Sequence, residues 1–485
     1  MNPVRLSLIS HTNVGKTTLA RTLVKRDVGE VRDAAHVTDT TDSYVLIETT
    51  DGDVLELWDT PGFGDSSRLL RRLRQDGNPL GWFLTQVWDR YTDRPFFSSQ
   101  QAIRNVRDVA DVVLYLVNAS EDPAAAGYVA AEMEILGWIG KPVLVLLNQL
   151  GPPQTADAEA REIDRWSRHL ASFSVVRGVV AFDAFARCWV QERVLLERVG
   201  ALLPTDRRES FGRLTVAWDA RNDMVFDRSI QVLARHLAGT AVDQAEVPTR
   251  SLGESARALL GGLAGAEPRI DPALEAGQAA MARRLDESLR ESTAELIELH
   301  GLSGRAAGEI DRRMGSAYTV DPAADVAKAS VIGGAVTGAL GGLAADLAAG
   351  GLTFGAGALI GGLLGAAGMH GLARAYNLAR GKDTSTLRWS PEFLTGRVTA
   401  AMLRYLAVAH FGRGRGDYVQ AEYPPQWRAV VEAAVSRRRA AFDAIWAAGS
   451  PQTAPAALEP GLGAELRATA NEVLRTLYPQ HLPHP

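Results

Sequence analysis

The sequence is poor in cysteine and has little excess of either charge. Cys188 is the single cysteine among 485 residues, so an intrachain disulfide and a cysteine-rich metal site are excluded. We expect this lone thiol to be buried and structural. A net charge of -5 gives no general basic field of the kind that attracts nucleic acid. The first residues lack the pattern of a signal peptide, so we expect a cytoplasmic protein.

The sequence is instead rich in glycine, and it is too long for one ordinary core. A chain of 485 residues suggests roughly two to four domains. Many of the 46 glycines fall between Gly333 and Gly371, with alanines among them. We expect one domain first, then a helical domain, an apolar hairpin and a second helical region. The corresponding ranges are 1–204, 205–325, 326–372 and 373–485.

A phosphate-binding pattern follows the first apolar run. Residues 4–9 (VRLSLI) predict a buried strand, and apolar residues recur at helical spacing after residue 18. The intervening SHTNVGKTT, residues 10–18, therefore lies between a strand and a helix, as a P-loop does. Backbone N–H groups of such a loop surround phosphate oxygens. The residues expected to contact the nucleotide here are Asn13, Val14, Gly15, Lys16, Thr17 and Thr18.

Three of these residues have distinct chemical roles. Gly15 lets the backbone approach the phosphates, Lys16 reaches the outer phosphates, and the Thr17 hydroxyl ligates Mg²⁺. The pattern departs from the usual motif at Ser10, where the first glycine normally stands. We therefore expect a slightly strained or reshaped loop.

A second motif supports the first. Residues 54–58 (VLELW) predict a strand that ends in Asp59-Thr60-Pro61-Gly62, a D-x-x-G pattern. Asp59 is expected to hold Mg²⁺ through a water molecule, and the Gly62 N–H to sense a γ-phosphate. The pattern is common by chance alone, but its place at a strand end after a P-loop makes it specific.

Together, residues 13–17 (NVGKT) and 59–62 (DTPG) resemble the Era and MnmE branch of bacterial GTPases. The Gly29-Glu30-Val31 run and the glycine-rich second half are similar to an uncharacterised group that joins such a domain to a C-terminal domain of unknown function. The resemblance implies GTP and GDP as ligands and Mg²⁺ as cofactor. It also places Thr38 at the position of the threonine that ligates Mg²⁺, and Thr40 or Thr41 are alternatives for that role.

The residue after Gly62 is Phe63, which cannot orient an attacking water as glutamine does in Ras-like proteins. Members of the resembled family share this apolar substitution. In several of them an asparagine equivalent to Asn13 helps hold a K⁺ ion when two such domains meet. The resemblance thus implies Lys16, Asn13 and Thr38 as catalytic residues, and slow hydrolysis that dimerisation or a partner accelerates. The alternative is that Asn13 simply suits the turn.

The base-reading motif is degraded. A predicted strand at 143–147 leads to Asn148-Gln149-Leu150-Gly151, where GTPases have N-K-x-D. Asn148 fits, but Gln149 replaces the lysine that packs along the base and Gly151 replaces the aspartate that pairs with guanine. Losing that aspartate typically removes about 1–3 kcal/mol of discrimination. Guanine specificity therefore depends on the family resemblance, and ATP or relaxed specificity stays open.

The alternation of strands and helices predicts the fold class. Strands are expected at 4–9, 43–47, 54–58, 112–117, 143–147 and 179–182, which gives a mostly parallel six-stranded α/β sheet. The region after residue 204 is expected to be mainly α-helical. Within it, apolar residues at helical spacing predict a helix that ends at Gly301, with His300 in its last turn, where a histidine suits the helix dipole better than it suggests a ligand.

An insertion between Phe63 and Ala110 carries a basic amphipathic helix. Its leucines alternate with the arginines 68, 71, 72 and 74, and several aromatic residues follow. Such a helix can contact a membrane surface, a partner or RNA. The other interpretation is a solvated helix whose apolar residues pack on the nucleotide-binding domain.

Residues 329–369 form the most apolar segment. Their only formal charge is Asp346, and two glycine trios, 334/338/342 and 357/361/365, repeat at a spacing of four. This spacing places each trio on one helix face, as in close helix packing within membranes. Each arm approaches the ~20 residues that cross a bilayer, and basic residues flank both ends. A glycine-rich hairpin buried in a soluble domain is the alternative.

The pattern favours a GTP-controlled switch at the inner membrane, with nucleotide as ligand and a homodimer through its GTPase-like domains. A soluble regulatory GTPase acting on RNA, the ribosome or a protein is a second hypothesis. It lacks support from a basic domain or an RNA-binding module, so nucleic acid is not an expected partner. A nucleotide-binding scaffold with little turnover is a third, given Phe63 and Gly151.

Overall fold

The computed structural model describes residues 3–12, 14–25, 41–74, 79–85, 93–150, 156–182, 188–248, 272–302, 376–380, 384–411, 425–450 and 452–479. Several predicted features lie outside these ranges, among them Asn13, Thr38, Thr40, Gly151 and the apolar segment 329–369.

The N-terminal part is built on a six-stranded sheet. Its strands are β1 (Val4–Ser10), β2 (Asp42–Glu48), β3 (Val54–Asp59), β4 (Val112–Asn118), β5 (Val143–Asn148) and β6 (Val176–Ala181). The order across the sheet is β2-β3-β1-β4-β5-β6, and only β2 runs antiparallel to its neighbour. The predicted mostly parallel six-stranded sheet is therefore confirmed, with strand bounds close to those expected.

The sheet is hydrophobic on both faces because helices cover both. Alternate residues of β4 enter two different cores: Val113 and Tyr115 on one face, Val112 and Leu114 on the other. The first face is covered by α2 (Ser66–Leu73), α3 (Pro79–Thr85), α4 (Arg94–Asp108), α5 (Gly127–Ile139) and α6 (Ala156–Leu170). The second is covered by α1 (Lys16–Val24), α7 (Trp189–Leu202) and the start of α8 (Thr205–Val242).

The basic helix α2 packs on this domain. Leu69, Leu70 and Leu73 are buried in the same core as Phe83 and Phe96. Its arginines face outward. The Arg68 guanidinium lies 4.7 Å from the centre of the Phe96 ring, and Arg74 pairs with Glu134 of α5. The interpretation of the leucines as packing residues is confirmed.

A third core, that of the helical region, lies beyond α7. The far half of α8 packs there with α9 (Pro272–Leu299), α10 (Pro391–Ala409), α11 (Pro425–Arg437), α12 (Arg439–Ala448) and α13 (Pro455–Leu477). The mainly helical C-terminal region is thus confirmed. Cys188 is buried in this core, and burial raises the pKa of its thiol to about 11.

This helical region also contains a small sheet that the sequence pattern does not predict. β7 (Gln244–Pro248), β8 (Tyr376–Arg380) and β9 (Thr384–Trp389) form an antiparallel sheet in the order β7-β9-β8. The central strand β9 contributes Leu387 and Trp389 to the helical core.

Candidate phosphate and metal site

The phosphate loop joins β1 to α1 at the edge where parallel strands end. Gly15 is the N-cap of α1 and has φ of 97°, a left-handed conformation that favours glycine. A Cβ atom on Gly15 would stand 2.8 Å from Asn148 Nδ2, so side-chain space is also absent. Both constraints explain why glycine precedes the lysine at the N-terminus of α1, the end of a helix that attracts anions.

Lys16 is buried at the first position of α1. Its Nζ donates a hydrogen bond to Ser10 Oγ at 2.9 Å and lies 3.5 Å from the His11 carbonyl oxygen. Burial lowers the pKa of Lys16, and the carboxylates of Asp59 and Glu132 oppose that shift. Ser10, which replaces the usual glycine, therefore supplies an acceptor for the lysine.

Asp59, at the end of β3, approaches the phosphate loop from the neighbouring strand. Its Oδ2 accepts a hydrogen bond from Thr17 Oγ1 at 2.8 Å. Its buried Oδ1 has no hydrogen-bond partner within the described residues. Burial raises the pKa of Asp59 to about 6, while Lys16 and Thr17 act in the opposite direction. A buried carboxylate oxygen without a donor, next to a threonine hydroxyl, fits the oxygen ligands that Mg²⁺ prefers.

Gly62 lies beside the lysine. A Cβ atom on Gly62 would stand 2.8 Å from Lys16 Nζ and 3.2 Å from Thr12 Cα and N. The structure therefore brings the predicted γ-phosphate sensor next to the phosphate loop. The following residue, Phe63, donates its N–H to the Ser10 carbonyl at 2.9 Å, and its side chain is fully buried.

Asn148 also borders the loop. It is the last residue of β5, and its Nδ2 donates to the Val14 carbonyl at 2.7 Å. Gln149 adopts a left-handed φ of 59° directly after it. The base-reading role of Asn148 stays a prediction.

The remaining predicted residues divide in two groups. Thr18 is buried in α1, and Thr41 is half-buried just before β2. Asn13 and Thr38 lie outside the described residues, so their roles with K⁺ and Mg²⁺ stay predictions.

One group of polar residues behind the loop is not predicted from the sequence. Glu132 of α5 is fully buried and accepts hydrogen bonds from His11, Ser66 and Tyr115. A signal is present in the sequence, because Glu132 lies at helical spacing from the apolar residues Val129 and Leu136. A carboxylate on the apolar face of a helix calls for buried donors.

In the described part of the chain, no three His, Cys, Asp or Glu residues gather as a metal-binding group. No helix among the same residues is long and apolar enough to cross a membrane.

Two family models match the chain. The model described as a 50S ribosome-binding GTPase matches residues 5–149. The model of a domain of unknown function, DUF3482, matches residues 169–477. No curated protein matches the chain.

The chain is also similar to solved bacterial structures. Era from Aquifex aeolicus, a variant bound to GDP·AlF4⁻, has 18% identity and a TM-score of 0.32. Era in complex with MgGDPNP and nucleotides 1506–1542 of 16S ribosomal RNA has 19% identity and a TM-score of 0.31. Each match covers 42% of this chain and 58% of the Era chain. A variant of S. thermophilus NFeoB bound to GMPPNP has 16% identity and a TM-score of 0.26, covering 63% of this chain and 98% of that one.

Proposed function

The chain belongs to the DUF3482 family and begins with a P-loop GTPase domain, and from this premise we propose that it is a GTP-binding switch with slow intrinsic hydrolysis. The observation that carries the proposal is the meeting of Thr17, Asp59, Lys16 and Gly62 at one point. The first two offer metal ligands, and the last two border the place of a γ-phosphate.

The residues of this site divide the work of binding a nucleoside triphosphate. Lys16 exchanges its hydrogen bond with Ser10 for phosphate oxygens, and a buried ammonium interacts strongly with that charge. Thr17 and Asp59 would hold Mg²⁺, and the metal would neutralise negative charge on the phosphates. Gly62 offers its N–H to the γ-phosphate, so that the segment after it responds to the nucleotide state.

Slow hydrolysis follows from Phe63. Its side chain is fully buried in the domain core, and an apolar ring offers no group that can orient water. We propose that Asn13 and K⁺ supply the missing stabilisation when two GTPase domains meet, as the family resemblance implies.

The first test measures nucleotide affinity by fluorescence with labelled GTP, GDP and ATP. Lys16→Ala should weaken binding by about 100-fold, because a charged contact with phosphate is lost. Lys141→Ala, at a partly exposed lysine after α5, is the matched control and should bind as the wild type does. Equal affinities for the wild type and Lys16→Ala would refute the phosphate site.

The second test compares hydrolysis in K⁺ and in Na⁺. We expect faster turnover in K⁺, and a rate that rises with protein concentration if domains must meet. Equal, measurable rates in both salts would remove K⁺ and Asn13 from the proposal. Binding without turnover under every condition would favour the scaffold.

We further propose that the switch acts at a membrane through residues 329–369. The support is the sequence pattern of this segment alone, since it lies outside the described residues. Flotation with liposomes in GDP and in GMPPNP tests it, with the chain lacking residues 329–369 as control. Flotation in one state only would indicate a nucleotide-controlled attachment, and flotation in both a permanent one. A protein that never floats would refute this part.

Ribosome binding is a second candidate, favoured by the description of the family model that matches residues 5–149. Co-sedimentation with 50S subunits at increasing salt tests it. Binding to RNA phosphates should weaken steeply with salt. Sedimentation that is no stronger than that of the protein alone would exclude this candidate.

A further inference from the structure

A buried carboxylate connects the phosphate loop to the segment that follows Gly62. Glu132 lies on the inner side of α5, and its side chain has no exposure to solvent. An ionised carboxylate only accepts hydrogen bonds, so its burial must be balanced by donors. In this chain the donors come from three different elements.

Each donor is at normal or short hydrogen-bond distance. Glu132 Oε1 accepts from His11 Nδ1 at 2.8 Å and from Ser66 Oγ at 2.5 Å. Glu132 Oε2 accepts from the Tyr115 hydroxyl at 2.6 Å. Burial and the neighbouring carboxylate raise the pKa of Tyr115 well above its usual range, which keeps the phenol a donor.

Two of these donors belong to the parts that meet the nucleotide. His11 is the second residue of the phosphate loop, and its ring stacks on Tyr128 with centroids 4.4 Å apart. Ser66 is the first residue of α2 and stands four positions after Gly62. One carboxylate oxygen therefore joins the phosphate loop directly to the first turn of α2.

The segment between Gly62 and Ser66 is held at other points as well. The Phe63 N–H donates to Ser10, and the Gly64 N–H donates to Ser99 Oγ at 3.3 Å. A Cβ atom on Gly64 would stand 2.5 Å from Pro95 Cβ, so this backbone packs closely on α4. With both ends fixed, the position of Ser66 determines how Gly62 approaches a γ-phosphate.

We propose that Glu132 is a positioning residue, which sets the place of the Gly62 N–H by holding His11 and Ser66 on one carboxylate. This inference depends on the proposed nucleotide switch and adds a residue on which its response to the γ-phosphate relies. GDP lacks the γ-phosphate, so its binding should depend on Glu132 less than the binding of a triphosphate does.

The experiment measures the affinities for GDP and GMPPNP of Glu132→Gln and Ser66→Ala. Glutamine has the same shape but one acceptor fewer, so at least one of the three donors loses its partner. Each variant should lower the preference for GMPPNP over GDP by about tenfold, the effect of one buried hydrogen bond. The KM for GTP should rise by a similar factor, because KM approaches the dissociation constant when hydrolysis is slow.

The chain offers matched controls for both variants. Glu134 lies on the same helix and also contacts α2, through Arg74, but on the surface. Ser67 is the exposed neighbour of Ser66. Glu134→Gln and Ser67→Ala should leave the nucleotide preference unchanged. Because Ser66 and Glu132 act through one hydrogen bond, the double variant should lower the preference for GMPPNP over GDP little more than either single variant does.

Three outcomes would overturn the inference. One is an equal loss of affinity for GDP and GMPPNP, which would mean that Glu132 only supports the loop. Another is a lower melting temperature with an unchanged nucleotide preference, which would make its role purely structural. The third is a Ser66→Ala protein that folds and discriminates between GDP and GMPPNP as the wild type does. Ser66→Ala alone tests the inference if Glu132→Gln fails to fold. A wild-type chain that binds neither nucleotide would instead refute the proposed function, and this positioning role with it.

Discussion

At the scale of single residues, Asp59 is a carboxyl whose charge Mg²⁺ binding requires and burial disfavours. Burial raises the pKa of its carboxyl from the ordinary 3.8 to about 6. The folded protein therefore binds the proton more tightly than the unfolded chain does. The contribution of this group to stability is greatest at low pH and falls as pH rises from about 4 to 6.

The same shift predicts how metal binding depends on pH. Mg²⁺ needs the ionised carboxylate, so Mg²⁺-dependent GMPPNP affinity should rise about tenfold per pH unit up to pH ~6 and then level off. Titrations at several pH values, with and without Mg²⁺, measure this. In Asp59→Asn the phosphates of the nucleotide still titrate, but the rise in affinity that comes from ionisation of the Asp59 carboxyl should be lost. A wild-type profile that matches the Asp59→Asn profile would contradict the prediction.

Asn148 gives a second prediction at this scale. Its amide supports the phosphate loop through Val14, so Asn148→Ala should weaken GTP and ATP binding by a similar factor, about fivefold to tenfold. Asn118 is its partner in register on β4 and contacts Ser120 and Glu121, so Asn118→Ala is the matched control. Competition between the two nucleotides measures the effect. A loss confined to GTP would show that Asn148 reads the base.

The site residues differ in how far the sequence reveals them. Lys16, Thr17 and Asp59 belong to short motifs whose chemistry is local, and the structure brings them together. The role of Glu132 depends on partners far along the chain, such as His11. A motif does not describe these partners, because tertiary packing brings them together. His300 is a correction: burial lowers its pKa to about 3, so it is neutral and cannot serve the helix as a cation.

At the scale of elements, the two sheets differ in how far the sequence predicts them. The strands of the first sheet are predictable because β4 and β5 are almost continuous apolar runs buried on both faces. β7 and β9 carry few apolar residues, and β7 ends in Pro248. They pair across more than a hundred residues, so their stability comes from the sheet and not from local preference.

The helix α8 joins the core beneath one face of the large sheet to the core of the helical region. It runs for 38 residues, from Thr205 to Val242. Phe211, Leu214 and Trp218 pack under the sheet of the GTPase domain, whereas Phe226 and Leu233 belong to the helical core. Ala220 and Arg221, near the middle of the helix, are exposed.

A break in this helix should separate the unfolding of the two cores. Ala220→Pro removes a helical hydrogen bond at an exposed position and costs about 3 kcal/mol or more. We expect one thermal transition to become two in calorimetry. Ala220→Gly costs only about 1 kcal/mol and should keep the single transition. If Ala220→Pro lowers the melting temperature but the transition stays single, α8 is not what couples the cores.

At the scale of the whole molecule, α1 leads from the phosphate site to the helical domain. It ends at Lys25, which has a left-handed φ of 55° and donates to Asn222 of α8 at 3.3 Å. The turn after α9 lies against it: Gly301 is near the Lys25 carbonyl, and His300 contacts Ser229. A cavity of about 40 Å³ at this junction, large enough for a water molecule, is lined by residues of both domains.

This junction predicts that the helical domain responds to the nucleotide. A short rigid helix that begins at the phosphates should carry a displacement to Lys25, and from there to the turn at residues 300–302. Hydrogen exchange at residues 296–302 should therefore differ between the GDP and GMPPNP states. Asn222→Ala removes one acceptor of Lys25 and should reduce the difference. Asp223→Ala, at the exposed neighbour, should preserve it. Equal exchange in both states of the wild type would mean that the signal does not pass through α1, and the switch would then have to act through the GTPase domain alone.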